Sequence, residues 1–223
     1  MTVTFFQNFP VPPMPPQPRS TRYVPPPWAA APAHELPAVV HLGKFLHQSP
    51  TTVMAVKSAE VYSTGCLFIL SWLFRRGEQS DDDWAELQHL FFQPGMGMRR
   101  GRERQTGLMF GVQFPDGAKA STGSQGPHGL METGQQPEPP TLVLNNGGGS
   151  GGDDEFTGTG QLWLWPLPPA GELRLWAQWL DLGLEETSIP LNGGPLRDAA
   201  AGAQAFFEEA GEDVPGTAAQ NRQ

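Results

Sequence analysis

Apolar and polar residues alternate with a period of two over much of the stretch from Ala38 to Leu191, and that period predicts strands. Val39, Val40, Leu42, Phe45 and Leu46 mark a first strand with Gly43 at a bulge, and the β-branched run Val53–Tyr62 marks a second. Ser63-Thr64-Gly65 is turn chemistry, so the second strand pairs in an antiparallel hairpin with the next, Cys66–Arg76. There Cys66, Phe68, Leu70, Trp72 and Phe74 fall on one face and Leu67, Ile69 and Leu73 on the other. Apolar residues on both faces predict a central strand covered on both sides.

Leu108, Phe110, Val112 and Phe114 alternate again, and the turn Pro115-Asp116-Gly117 leads into a return strand over Ala118–Ser121. Thr141–Leu144, Gln161–Pro166, Glu172–Leu180 and Glu185–Leu191 complete a set of seven or eight strands. The period lengthens twice. Ser80–Phe92 is a short helix in which Ser80 and Asp83 form a capping box, Asp81, Asp82 and Asp83 suit the positive end of the dipole, and Trp84, Leu87 and Phe91 share a face. Gly193-Gly194-Pro195 opens a second helix with Leu196, Ala199, Ala200, Ala203 and Phe207 as its stripe. Strands and helices do not alternate regularly. The predicted fold is therefore mostly β, a two-layer antiparallel sandwich of immunoglobulin-like type with two short helices.

Composition sets the borders of this domain. Gly (27) and Pro (24) approach the share seen in low-complexity chains, but they concentrate in a few stretches. Eleven prolines lie between Pro10 and Pro37, a density that forbids ladders and favours extended polyproline II. The predicted organisation is a proline-rich arm over 1–37 and a sandwich over 38–210. Flexible loops are expected near 94–106, 122–140 and 145–156, and a disordered acidic tail over 211–223. Pro12-Pro13-Met14-Pro15 and Pro25–Trp28 make the arm a candidate docking peptide, and Trp28 is also a candidate tether to the protein's own core.

The net charge of −9 arises entirely in the last third: residues 151–223 carry 3 basic and 12 acidic side chains. That balance disfavours nucleic acid and anionic membranes as partners. Arg99, Arg100, Arg102 and Arg104 form a basic cluster, and without an RNA-binding signature beside it a solvated loop is the plainer expectation. Cys66 is the single cysteine and excludes an intrachain disulfide, which fits a cytoplasmic protein. The longest apolar run, Cys66–Phe74, is about half of what a membrane-spanning helix needs.

Candidate chemistry is sparse. His34, His41, His47, His89 and His128 lack metal-ligand spacing, and adjacent aspartates at a helix start cannot reach one ion, so no metal and no cofactor are expected. Asn146–Phe156 matches the opening of a calcium-binding nonapeptide repeat, but in a single copy and with Glu155 where a large apolar residue belongs; a glycine loop is expected there. No nucleophile, dinucleotide or phosphate-loop motif is present, and Cys66 in an apolar strand is a small hydrophobe rather than a nucleophile. The chain is not expected to be an enzyme. The tryptophans stand out. If Leu162, Leu164, Leu173 and Leu175 face the core, then Trp163, Trp165 and Trp176 share an outer face suited to stacking a sugar ring or a partner, unless the C-terminal helix or the arm with Trp28 covers it.

Three stretches together, Val53–Phe74 with its Tyr62-Ser63-Thr64-Gly65 turn, FGVQFPDGAKA over Phe110–Ala120, and the WLWPLPP segment within Gly160–Ala200, resemble a group of uncharacterised actinobacterial proteins. The resemblance spans roughly residues 25–210 and implies one continuous domain and a high-GC bacterial source; it carries no activity. The sequence thus leads to a non-enzymatic protein-interaction or structural module with a protein partner. A small-ligand or carbohydrate-binding sandwich using Trp163, Trp165, Trp176 and Trp28 is the alternative, and an uncharacterised hydrolase a weaker one. Partner identity and oligomeric state are left open.

Overall fold

The described residues, 23–92, 107–122 and 136–207 of this computed structural model, form eleven strands and two α-helices. In chain order these are β1 (Glu35–Leu36), β2 (Ala38–Gln48), β3 (Thr52–Val61), β4 (Cys66–Arg75), α1 (Asp81–Phe92), β5 (Met109–Gln113), β6 (Lys119–Ser121), β7 (Thr141–Gly151), β8 (Glu155–Trp165), β9 (Glu172–Trp179), β10 (Leu184–Asn192), α2 (Gly193–Ala199) and β11 (Gln204–Ala205). The PxxP motif, the arginine cluster, His128, the acidic tail and most of the expected loops at 94–106 and 122–140 lie outside the described residues.

All strand pairs are antiparallel, and nine strands make a two-layer sandwich. One sheet has the order β2-β3-β4-β8-β7 and the other β10-β9-β5-β6, while β1 and β11 form a small separate ribbon. β2, β3 and β4 run as a meander within one sheet, whereas in constant-type immunoglobulin domains the third strand already lies in the opposite sheet. At one side Lys44 Nζ donates to Pro190 O (2.5 Å) and Thr187 Oγ1 to Leu46 O (2.9 Å), fastening β2 to β10. Gly43 adopts φ +57 where the β2–β3 register shifts, so the expected bulge is there and needs the left-handed backbone only glycine adopts freely.

The core follows from the alternation. Cys66, Phe68, Leu70, Trp72 and Phe74 of β4 point between the sheets and meet Phe110, Val112, Leu173, Leu175 and Trp179. Trp72 and Phe74 both contact Trp179 edge-on, with ring centroids 6.3 Å and 5.8 Å apart. Each large side chain buried this way contributes about 1.5–3 kcal/mol. Leu67 on the reverse of β4 packs with Tyr62, Val143 and Trp163, which makes β4 central in both senses. α1 is capped as its sequence predicts: Asp83 N–H donates to Ser80 Oγ (3.2 Å) and Ser80 Oγ–H to Asp83 Oδ2 (2.7 Å). Trp84 then lies on Phe156, with its Nε1 donating to Gly152 O (3.2 Å).

Four expectations change. The glycine stretch after Leu144 is strand rather than loop: β7 continues to Gly151 and turns through 152–154 into β8, because backbone ladder bonds to β8 outweigh the poor strand propensity of glycine. The second helix is short. Ala200–Gly202 tighten into a 3-10 turn, the chain re-extends as β11, and Phe207 is left 77% exposed instead of joining an apolar stripe. The boundary expected at residue 38 falls inside packed structure, since Trp28 and Ala29 are buried on the five-stranded sheet. The arm is also not extended throughout: Ala29 N–H donates to Pro26 O (2.9 Å), closing a β-turn with Pro27 at the position that favours proline.

Candidate binding face

The outer side of the four-stranded sheet is built by alternation on short strands. Phe110 and Val112 of β5 and Leu173, Leu175 and Ala177 of β9 point inward, so Met109, Gly111, Gln113, Arg174, Trp176 and Gln178 point outward. Register aligns them in rows. Ser121, Gly111, Trp176 and Ser188 stand side by side across β6, β5, β9 and β10. Met109 faces Gln178 in the row on one side, and Lys119, Gln113, Arg174 and Pro190 form the row on the other.

Gly111 shapes this surface. A methyl group at residue 111 would lie 3.4 Å from Trp176 Cβ, beside the indole, so the missing side chain leaves a hollow next to the ring. An open groove of about 510 Å³ runs there, lined by Met109, Gly111, Gln113, Lys119, Ser121, Trp176, Gln178 and Glu186. The volume is in the range of small-ligand sites. The lining couples a half-buried indole to amide, hydroxyl, ammonium and carboxylate groups. Arg174, in the adjoining row, is 3.4 Å from Glu172 and shares its charge with it.

The four tryptophans named from the sequence do not form one face. Trp163 and Trp165 face outward from β8 in the five-stranded sheet, and Trp176 faces outward from β9 in the other. Residues 166–171 carry the chain from one sheet to the other rather than turning a hairpin, so the outward sides of β8 and β9 look in opposite directions. The expected shared face of Trp163, Trp165 and Trp176 therefore does not exist, because the sheets that carry them present these side chains to opposite sides. Trp163 is completely buried, edge-on to Tyr62 at 5.8 Å, and its Nε1 donates to Pro27 O (2.9 Å). Trp165 carries Trp28 and Ala29, and Thr141 Oγ1 donates to Trp28 O (3.0 Å). The turn that carries Trp28 therefore meets both tryptophans of β8, Trp163 through Pro27 O and Trp165 through Trp28 itself, while Trp176 stands apart at the groove.

Gly111, Gln113, Ser121 and Gln178 were not singled out from the sequence. The one signal for them was Gly111, a glycine inside an alternating strand, where close approach by a ligand is a common reason. Burial raises the Cys66 thiol well above its ordinary range, so it is protonated and inert. Among the described residues no three His, Cys, Asp or Glu side chains lie close enough together to hold a metal ion, and no helix is long and apolar enough to cross a membrane. No family model, curated protein or solved structure matches the chain.

Proposed function

We propose that this protein is a binding module that holds a flat, hydroxyl-bearing ring, such as a sugar residue of a glycan, against Trp176. The supporting observation is the half-buried indole in an open groove beside Gly111. A sugar ring offers its C–H face to an aromatic plane and its hydroxyls to amides and hydroxyls around it. Gln113, Gln178 and Ser121 supply such groups, and Lys119 and Glu186 supply a donor and an acceptor of opposite charge. The arm had favoured a protein partner. Its Pro26–Ala29 turn is engaged by the protein's own sheet, which moves the weight from the arm to the groove.

A glycan array probed with the full chain, followed by calorimetric titration of the glycans retained, tests this function. Gly111→Val and Trp176→Ala are each expected to abolish binding while leaving the far-ultraviolet circular dichroism unchanged. Equal binding by both variants, or retention of no glycan by the parent chain, refutes it.

A further inference from the structure

The outer face of the five-stranded sheet is covered by a segment of the chain's own arm. The turn Pro26–Ala29 directs two consecutive carbonyls at the sheet. Pro27 O accepts from Trp163 Nε1 (2.9 Å) and Trp28 O from Thr141 Oγ1 (3.0 Å). Trp28 and Ala29 rest on Trp165, and Ala31 packs on the cluster of Tyr62, Leu67, Val143 and Trp163. An aromatic cradle whose polar groups reach proline-segment carbonyls is the chemistry of modular proline-recognition sites. Here the peptide and its receptor belong to one chain.

The attachment between them is short. Glu35 is pinned, since Ser63 donates to its carboxylate from both N–H (2.9 Å) and Oγ (2.5 Å), and β1 is paired with β11. Only Pro32 and Ala33 separate Ala31 from His34, whose carbonyl accepts from Phe206 N–H (2.9 Å). Nothing in the contacts of the turn depends on which copy of the chain supplies it. A cradle that loses its segment exposes Trp163, Trp165, Tyr62 and Leu67 together, a patch that needs covering. The segment present at equal concentration with the right sequence is that of another copy.

We infer that Pro26–Ala31 is an exchangeable ligand of the Trp163–Trp165 cradle, and that two copies of the chain trade it reciprocally about the Pro32–Ala33 hinge to form a closed dimer. The surface is distinct from the Trp176 groove and stands whether or not that groove binds a glycan.

Two measurements on the full chain test it. First, a labelled peptide of residues Tyr23–Pro32 is titrated into the Trp28→Ala chain, whose own segment lacks its anchor. Saturable one-to-one binding is expected, at least about tenfold weaker for the peptide carrying Trp28→Ala. Absence of binding overturns the inference. Second, removing Pro32 and Ala33 leaves the segment too short to seat in its own cradle. Light scattering is expected to find a dimer that returns to monomer when Trp28→Ala is added. A folded variant that stays monomeric, or a dimer indifferent to Trp28→Ala, overturns the exchange. If the shortened chain does not fold, the same light scattering on the parent chain, refolded from urea at high concentration, decides: a dimer dissociated by excess peptide supports exchange, and a strict monomer overturns it.

Discussion

Trp28→Ala separates a strap from a core residue. Truncating a tryptophan in a rigid interior costs about 3–5 kcal/mol, and with 7% exposure Trp28 looks like such a residue. Its surroundings limit the loss. Without the indole, the turn retains mainly the hydrogen bonds from Trp163 and Thr141, each worth about 1 kcal/mol net. Ordering the backbone of Pro26–Ala31 costs about 1–2 kcal/mol per residue, somewhat less at the prolines, whose φ is already restricted. The remaining bonds do not offset that cost, so the segment lets go instead of enclosing a cavity. The stability lost cannot exceed the net free energy of seating the segment. We expect a loss of about 1–3 kcal/mol, within the span of ordinary single substitutions. A chain beginning at Pro32 is expected to show the same loss to within about 0.5 kcal/mol, the tolerance of independent effects. Urea unfolding by circular dichroism measures both, and a red shift of the native emission reports the uncovering of Trp163 and Trp165. If Trp28→Ala is less stable than the truncated chain by about 2 kcal/mol or more, the segment stays seated around a void and the reasoning fails.

Glycines at two outwardly similar strand positions should respond oppositely. A methyl at Gly160 would lie 2.6 Å from Trp72 Cη2, wedging the indole that abuts Trp179, so Gly160→Ala should cost about 1–3 kcal/mol in urea unfolding. Gly111→Ala meets only ordinary contacts and should hold or raise stability by up to about 1 kcal/mol. Burial, then the charge of Glu60 and its hydrogen bond (3.3 Å), push Tyr62 up to about 12 from its ordinary 10.0. The folded protein then keeps a proton that the unfolded chain has lost, so this contribution to stability is complete below pH 10 and disappears as pH rises towards 12. The urea midpoint should fall over that window, and Tyr62→Phe should flatten the fall; an unchanged slope in the variant contradicts the assignment. Cys66 should resist a disulfide reagent at mildly alkaline pH until urea unfolds the chain, and native labelling at the unfolded rate would show that the sheet opens there.

Residue order alone determined the strands with strong local alternation. β3, β4, β5 and β9 are legible because the pleat sends alternate side chains to opposite faces, and a buried face demands an apolar partner at every second position. The α1 cap is legible for the same reason of locality: Ser80 and Asp83 satisfy each other within one turn. Even the double-sided burial of β4 is written in Cys66–Phe74. Where side chains carry no pattern, local information ends. Asn145–Gly151 has glycines in place of an alternation, and only the ladder from β8 makes it a strand.

The site depended on a decision that no short stretch contains. Trp165 and Trp176 are both outward residues of strands consecutive in the chain, and whether they share a face turns on whether residues 166–171 form a hairpin or cross between sheets. That choice rests on the pairing of β9 with β5, a strand distant in sequence from both β8 and β9. It buries Trp163 under the protein's own Trp28 turn and leaves Trp176 beside Gly111. Side-chain direction along a strand is a local property and can be read from sequence. The layer a strand joins, and the side of the molecule its outward residues face, are collective properties settled only when all nine sandwich strands have found their neighbours.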